Sequence, residues 1–274
     1  MGFIYWNVAP ELFRVGPLVV RWYGLLFALL FWIGYLLGRW MYRTEGKDSE
    51  RLNDLLVYLL IGTVVGARLG HCLLYEPVFY LAHPLEILKV WKGGLASHGG
   101  AVGVLIALYL FSRRNPGESY LWLLDRVVVA TALGGALIRL GNLFNSEILG
   151  LATTVPWAFV FERVDQTPRH PVQLYEALCY ALIFVGLIIV YRQLKSNTPQ
   201  GSLTGLFLLA VFTARFLLEF LKERQADYGQ NLPLSVGQIL SIPFILAGGV
   251  LLWRSLRRSA RGASFSSPEK ADRR

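Results

Sequence analysis

The chain has 274 residues, of which 54% are hydrophobic and 16% charged, with a mean hydropathy of +0.46. That is too apolar for a soluble domain of this size and implies a polytopic membrane protein. The net charge of +9 does not imply a nucleic-acid partner, because many cations sit in short loops and the C-terminal tail rather than on one basic face.

Residues 1–17 hold aromatics, Pro10 and Pro17, and too few consecutive apolar residues to span a bilayer; they read as an arm on a membrane surface. The opening MGFIYW has no basic n-region and no cleavage pattern, so no removable signal peptide is expected. Seven apolar runs follow, at 18–40, 52–75, 95–111, 120–140, 171–191, 203–221 and 236–253. They are close to the about 20 residues that a spanning helix needs. Between the fourth and fifth, residues 141–169 hold Pro156, Trp157, Pro168 and several charges, and read as a small extramembrane head. A polar loop occupies 222–233. The tail 254–274 is basic, rich in Ser and Ala, and is expected to be disordered. The expected fold is thus all-α and membrane-integral. It has a surface arm, a seven-helix domain over 18–253 and a basic tail.

Seven spans put the termini on opposite sides. Lys and Arg collect at 39–51, 113–114, 192–195 and in the tail, which marks that side as cytoplasmic. The N-terminus is then outside, the C-terminus inside and the head on the outer face.

This topology gathers polar residues into one outer layer. Tyr23 begins the first span and Arg68 lies near the outer end of the second. His98 starts the third. Arg139, Asn142, Asn145 and Glu147 follow the fourth within nine positions, in IRLGNLFNSEILG at 138–150. Arg169, His170, Gln173, Tyr175 and Glu176 open the fifth, and Arg215 and Glu219 lie one helical turn apart in the sixth. Ionisable groups near hydrocarbon are costly and mark functional sites by default. Each residue also has a plain reading. Arg139 and Glu147 could be solvated at the headgroups, and Arg215 and Glu219 could be a simple i,i+4 pair. His170 could cap a helix, Trp22 and Tyr23 could belong to an aromatic belt, and the glycines beside His98 could serve close helix packing.

Arginines facing one cavity suit a phosphate, because the guanidinium is a planar fork that stays charged. Histidine can act as a base near neutral pH. Cys72 and Cys179 lie far apart in apolar runs and read as packed small hydrophobes. The four histidines and two cysteines show no metal-ligand spacing, so neither metal nor cofactor is expected. There is no GxSxG elbow and no Gly-rich phosphate loop before a lysine. The residues alone therefore lead to an outer-leaflet lipid-headgroup enzyme or a lipid transporter. A transporter would need polar groups continuing toward the cytoplasmic side, where few embedded charges lie beyond Asp125 and Arg126.

The sequence resembles the prolipoprotein diacylglyceryl transferase family over nearly its whole length. The resemblance rests on RWYG at 21–24, GARLG at 66–70, GGLASHGG at 93–100 and RLGNLFNSEILG at 139–150. It continues with RHPVQLYE at 169–176, ARFLLEF at 214–220 and VGQILSIP at 236–243. Two positions depart from the family pattern. Ile138 stands where a glycine usually precedes the arginine, and Lys222 and Glu223 stand where another arginine is common. The resemblance implies transfer of the sn-1,2-diacylglyceryl group from phosphatidylglycerol to the lipobox cysteine thiol of a prolipoprotein signal peptide, at the outer face of the bacterial plasma membrane. A thioether forms and glycerol phosphate leaves.

It also implies a functional set of Tyr23, His98, Arg139, Asn142, Glu147, Gly150, Arg215 and Glu219. Arg68, Asn145, His170 and Glu176 are further substrate-binding candidates. Arg139 and Arg215 are assigned to the phosphate, with Glu219 fixing Arg215. Asn142 and Glu147 would hold headgroup hydroxyls or orient Arg139. His98 would take the thiol proton, or alternatively only orient the lipid while another group or water does so.

Overall fold

A computed structural model describes residues 2–16, 18–224 and 233–265 of the chain. The long apolar runs form helices: α1 (Trp22–Thr44), α2 (Glu50–Leu74), the short α3 (Pro77–Ala82), α4 (Ser97–Arg114), α5 (Tyr120–Asn145), α6 (Val172–Leu194), α7 (Ser202–Leu218) and α8 (Val236–Phe265). Six of them, α1, α2, α5, α6, α7 and α8, are long and apolar enough to cross a membrane. The third expected span, α4, is not among the six. It has 18 residues, opens on Ser97-His98 and closes on Arg113-Arg114, so polar ends dilute a short apolar middle.

Several boundaries differ from the expected ones. Residues 18–21 are strand, and the first helix starts at Trp22. The fourth expected span, α5, runs on to Asn145 rather than ending near 140, and Ile138 sits inside it without breaking it. The last helix extends through residues 254–265, which were expected to be disordered; 266–274 lie outside the described residues, as do 225–232 of the polar loop.

The chain divides into two compact units. One comprises Met1–Leu37 and Asp125–Arg274. Its strands are β1 (Ile4–Trp6), β2 (Glu11–Val15), β3 (Leu18–Arg21), β4 (Phe159–Phe161) and β5 (Pro168–Arg169). β2 and β3 form an antiparallel pair. β1 runs parallel to β4, with Ile4 opposite Phe159, and β5 lies antiparallel on the other side of β4. The N-terminal arm is therefore part of the head's sheet. Trp6 packs on the buried cluster of Leu143, Phe159 and Phe161 and donates its indole N–H to the Leu143 carbonyl at 3.0 Å. Trp22 stacks on Phe144 with ring centroids 4.6 Å apart. The sheet and these aromatics brace the end of α5, which carries the polar residues. In the same unit α7 packs against α6 and α8.

The other unit, Gly38–Leu124, is built on α2 against α4. Gly62, Gly66 and Gly70 face Gly99, Gly103 and Ala107 so closely that a Cβ on Gly62 would stand 2.6 Å from the Gly103 carbonyl oxygen. Small residues that let helix backbones touch are the expected solution where lipid removes the hydrophobic drive between helices. The glycines of GARLG and SHGG are thus packing residues.

Candidate active site

Arg139 and Asn142 lie three residues apart on the last turns of α5, on one face. Arg139 Nη1 donates to Asn142 Oδ1 at 3.1 Å. Asn142 Nδ2 donates to Glu147 Oε2 at 3.2 Å, and Asn145 Nδ2 to Glu147 Oε1 at 3.1 Å. Both amides therefore grip one carboxylate. The chain returns Glu147 to the helix end through two left-handed residues, Ser146 (φ 56°) and Ile148 (φ 57°). That conformation costs an L-residue roughly 1–2 kcal/mol, and a β-branched isoleucine is a marked outlier there. Strain of this kind persists only where the surroundings hold it, and it gathers at functional sites. Gln173 on α6, fully buried, donates from Nε2 to the Glu147 carbonyl at 2.6 Å.

Glu176, one turn further along α6, is also fully buried. Its Oε2 lies 2.9 Å from Arg139 Nε, an ion pair whose alignment falls short of a hydrogen bond. Its Oε1 accepts from Lys222 Nζ at 2.8 Å and from the Tyr180 hydroxyl at 3.3 Å. Lys222 also donates to Glu219 Oε2 at 3.2 Å, and Glu219 Oε1 accepts from Ser235 at 3.1 Å. Gly237 leaves room for Glu219, since a Cβ there would stand 2.6 Å from the Glu219 carboxyl carbon. Arg139, Glu176, Lys222 and Glu219 thus form an alternating row of charges. Lys222 was not among the expected site residues.

The expected Arg215–Glu219 pair does not form. Arg215 is half-buried and has no hydrogen-bond or ion-pair partner among the described residues, whereas Glu219 is held by Lys222 and Ser235. α7 ends at Leu218 and tightens into a 3-10 turn over Glu219–Leu221. Glu219 N–H still donates to the Arg215 carbonyl, so the backbone keeps the i,i+4 register, and the Glu219 carboxylate goes to Lys222 and Ser235 instead. Arg215 and Arg139 are both within electrostatic reach of the Tyr180 hydroxyl, so the same buried phenol lies near the two arginines. Tyr23, in the first turn of α1, packs its ring against Gly141: a Cβ on that glycine would stand 2.6 Å from Tyr23 Cδ2. Its hydroxyl is within electrostatic reach of Glu147 and Arg139.

Gly150 sits in an extended segment stitched on both sides. Leu151 N–H donates to the Leu221 carbonyl at 2.8 Å, and His170 N–H to the Leu151 carbonyl at 3.0 Å. A Cβ on Gly150 would collide with the His170 carbonyl, so the glycine is needed for close backbone approach. His170 directs Nδ1 to the Tyr175 hydroxyl at 3.3 Å. Next to it, Arg169 pairs with Asp165 at 2.6 Å and with Glu223. Hydrogen bonding from Arg169 holds the Asp165 carboxyl below its usual range, and the hydrogen bond to Asp165 holds the Arg169 pKa above its own.

Two candidates belong to the other unit. Arg68 is buried and spends its guanidinium on backbone carbonyls of the segment after α3: Nη2 on Glu86 at 2.6 Å, Nε on Ile87 at 2.9 Å, and Nη1 on Gly93 and Gly94 at 2.6 and 3.2 Å. It clamps a loop, with its donors already engaged. His98 is exposed on the first turn of α4 and has no hydrogen-bond partner among the described residues.

Six spanning-length apolar helices and a row of paired acidic and basic side chains define a multi-pass membrane protein with a polar site. Residues 10–254 match the family model of prolipoprotein diacylglyceryl transferase. The chain is 55% identical over 258 residues to the phosphatidylglycerol–prolipoprotein diacylglyceryl transferase of Tolumonas auensis, covering 94% of this chain and 100% of that protein. It is 53% identical over 258 residues to that of Chloroherpeton thalassium, covering 94% and 96%. It is 40% identical over 270 residues to that of Nitrosomonas europaea, covering 97% and 94%. The chain belongs to the prolipoprotein diacylglyceryl transferase family.

Proposed function

We propose that the charged row on α5, α6 and the turn after α7 holds the headgroup of phosphatidylglycerol during transfer of its diacylglyceryl group to a prolipoprotein. The chain is a transferase of lipoprotein biosynthesis, as its family membership implies. The observation that carries the site reading is Arg215. It is a half-buried guanidinium without a counter-ion among the described residues, close to an otherwise balanced row. A lipid phosphate supplies the missing anion, and a bidentate guanidinium–phosphate contact suits it.

In the reaction the lipobox thiol loses its proton and its sulfur attacks the glycerol carbon that carries the phosphate. A C–S bond forms, the C–O bond to phosphate breaks, and glycerol phosphate leaves with the bonding electrons. A free thiol has a pKa of about 8.5 and is mostly protonated at neutral pH, so a base speeds the step. Charge developing on the leaving phosphate is met by Arg215 and Arg139, which act strongly in a site of low dielectric. Asn142, Asn145 and Glu147 contact the headgroup hydroxyls, beside Tyr23. Glu176 and Lys222 keep Arg139 in place, and Lys222 holds Glu219. His98 remains the candidate base by the family resemblance alone. Gly150 and His170 act by shaping the protein around the site, and Arg68 by clamping its own loop, rather than by touching lipid.

The same proposal places α4 as a seventh span beside α2, the N-terminus and head outside, and the end of α8 in the cytoplasm of a bacterial inner membrane. The Lys and Arg distribution supports this orientation. Cysteine labelling after Arg254 in intact cells should report a protected, cytoplasmic position; labelling from outside rejects it.

The site is tested by Arg139→Lys and Arg215→Lys, which keep charge but lose the fork. Transferase rate with a lipobox peptide should fall about ten- to a hundredfold in each, as the loss of a charge-assisted hydrogen bond worth roughly 1.5–3 kcal/mol requires. Normal turnover in Arg215→Lys would remove it from the phosphate.

A further inference from the structure

Gln173 is fully buried and points its amide at the backbone of one residue, Glu147. The bond from Nε2 to the Glu147 carbonyl is short, at 2.6 Å. That carbonyl lies between the two left-handed residues Ser146 and Ile148. Ser146 does not brace the turn with its own side chain, because its hydroxyl is buried without a partner among the described residues. Ser146 and Glu147 N–H donate back to α5, to the Leu143 carbonyl at 3.0 Å and the Asn142 carbonyl at 2.9 Å. Those two bonds tie the turn to its own helix. The Gln173 bond ties it to α6.

Gln173 also lies three residues before Glu176, on the same face of α6. One face of one helix therefore holds the Glu147 turn through its backbone and Arg139 through an ion pair. We propose that Gln173 is a positioning residue for Glu147. Its amide fixes the strained turn so that the Glu147 carboxylate stays on the amides of Asn142 and Asn145. The inference rests on the reading of Glu147 as a headgroup contact. The chemistry required of position 173 is a donor at neutral pH, which neither an apolar side chain nor a carboxylate supplies.

Two variants test this in the full-length protein, using phosphatidylglycerol in mixed micelles and a lipobox peptide. Gln173→Leu keeps the bulk and removes the donor. Its KM for phosphatidylglycerol should rise about tenfold in protein that still folds, with no more than the small fall in thermal midpoint that one hydrogen bond accounts for. Gln173→Glu sets an acceptor against the Glu147 carbonyl whenever the carboxyl is ionised, and only its protonated form donates. Its rate should gain a descending limb as pH rises, absent from wild type. A defect from packing alone gives a profile parallel to wild type and overturns the proposal. If Gln173→Leu fails to fold, the Gln173→Glu profile decides by the same criterion. Glu147→Gln separates this inference from its premise. Normal KM and turnover in Glu147→Gln overturn both. Impaired Glu147→Gln with wild-type behaviour in both Gln173 variants overturns the positioning role alone.

Discussion

Arg139 Nε and Glu176 Oε2 stand 2.9 Å apart across α5 and α6, with the Glu176 side chain wholly removed from solvent. Arg139 is thus a cation already engaged, with Asn142 as a second partner. A fully buried carboxylate is tolerated only when it is paired and hydrogen-bonded. Glu176 meets this condition through two cations on opposite oxygens, Arg139 and Lys222. Arg215, by contrast, has no hydrogen-bond or ion-pair partner among the described residues, and the arrangement gives Lys222 a role in stability.

Removing Lys222 should therefore destabilise the fold. Lys222→Met leaves Glu176 with one cation and Glu219 with Ser235, and breaking a buried pair costs about 3–5 kcal/mol. At roughly 2–4 °C per kcal/mol for a chain of this size, the thermal midpoint in detergent should fall by about 10 °C. Lys222→Arg keeps the charge and should lose much less. An unchanged midpoint in Lys222→Met would show that the row of charges does not hold the helices.

Six of the seven expected spans were legible in the sequence because apolar runs of membrane length have few other readings. So was the grouping of Arg139, Asn142, Asn145 and Glu147, whose short spacing survives any local backbone path. Lys222 was not legible. It follows the last apolar residue of its run and reads as a loop cation until the bridge between residues 222 and 150 draws it inward. The loop contacts of Arg68 were not legible either: an arginine in a span reads as a ligand site, and the loop carbonyls it holds are 18 to 26 residues away. The Arg215–Glu219 spacing is kept by the backbone, but nothing in it shows that Lys222 and Ser235 take the Glu219 carboxylate instead.

A second stability prediction concerns the opposite end of α5. Asp125, fully buried, accepts from Gly201 N–H at 2.6 Å, Thr204 N–H at 2.8 Å and the Thr204 hydroxyl at 2.7 Å. It caps α7 from another helix, satisfying donors that the first turn cannot pair internally. Asp125→Ala should cost about 2–4 kcal/mol, the sum of a lost cap and buried donors left unpaired. Turnover per folded molecule should stay at the wild-type value, which a detergent unfolding curve paired with an activity assay would check.

The Asp165–Arg169 pair predicts a pH response of the head. Because Arg169 lowers the Asp165 pKa in the folded state, the contribution is fully present above the unfolded value of about 3.9 and is lost as pH falls through the lower, folded value. The head should thus be insensitive to this group at neutral and alkaline pH and loosen only in acid. Amide exchange at Thr167, whose N–H donates to Asp165 at 2.8 Å, reports it. Asp165→Asn should abolish the acid-dependent part of that protection.

The base is the remaining assignment. If His98 takes the thiol proton, His98→Gln removes a step that depends on thiolate while keeping similar bulk and hydrogen-bonding capacity. The loss should then shrink as pH approaches the thiol's own value of about 8.5, because thiolate forms there without help. A loss caused by misplaced lipid persists at every pH. The measurement is transferase rate from about pH 7 to about pH 9 for wild type and His98→Gln, with phosphatidylglycerol and a lipobox peptide. A mutant rate that climbs toward wild type at the alkaline end supports the base. A profile that stays low and flat, in protein that still binds lipid, reassigns His98 to positioning and leaves the chemistry to the two arginines and water.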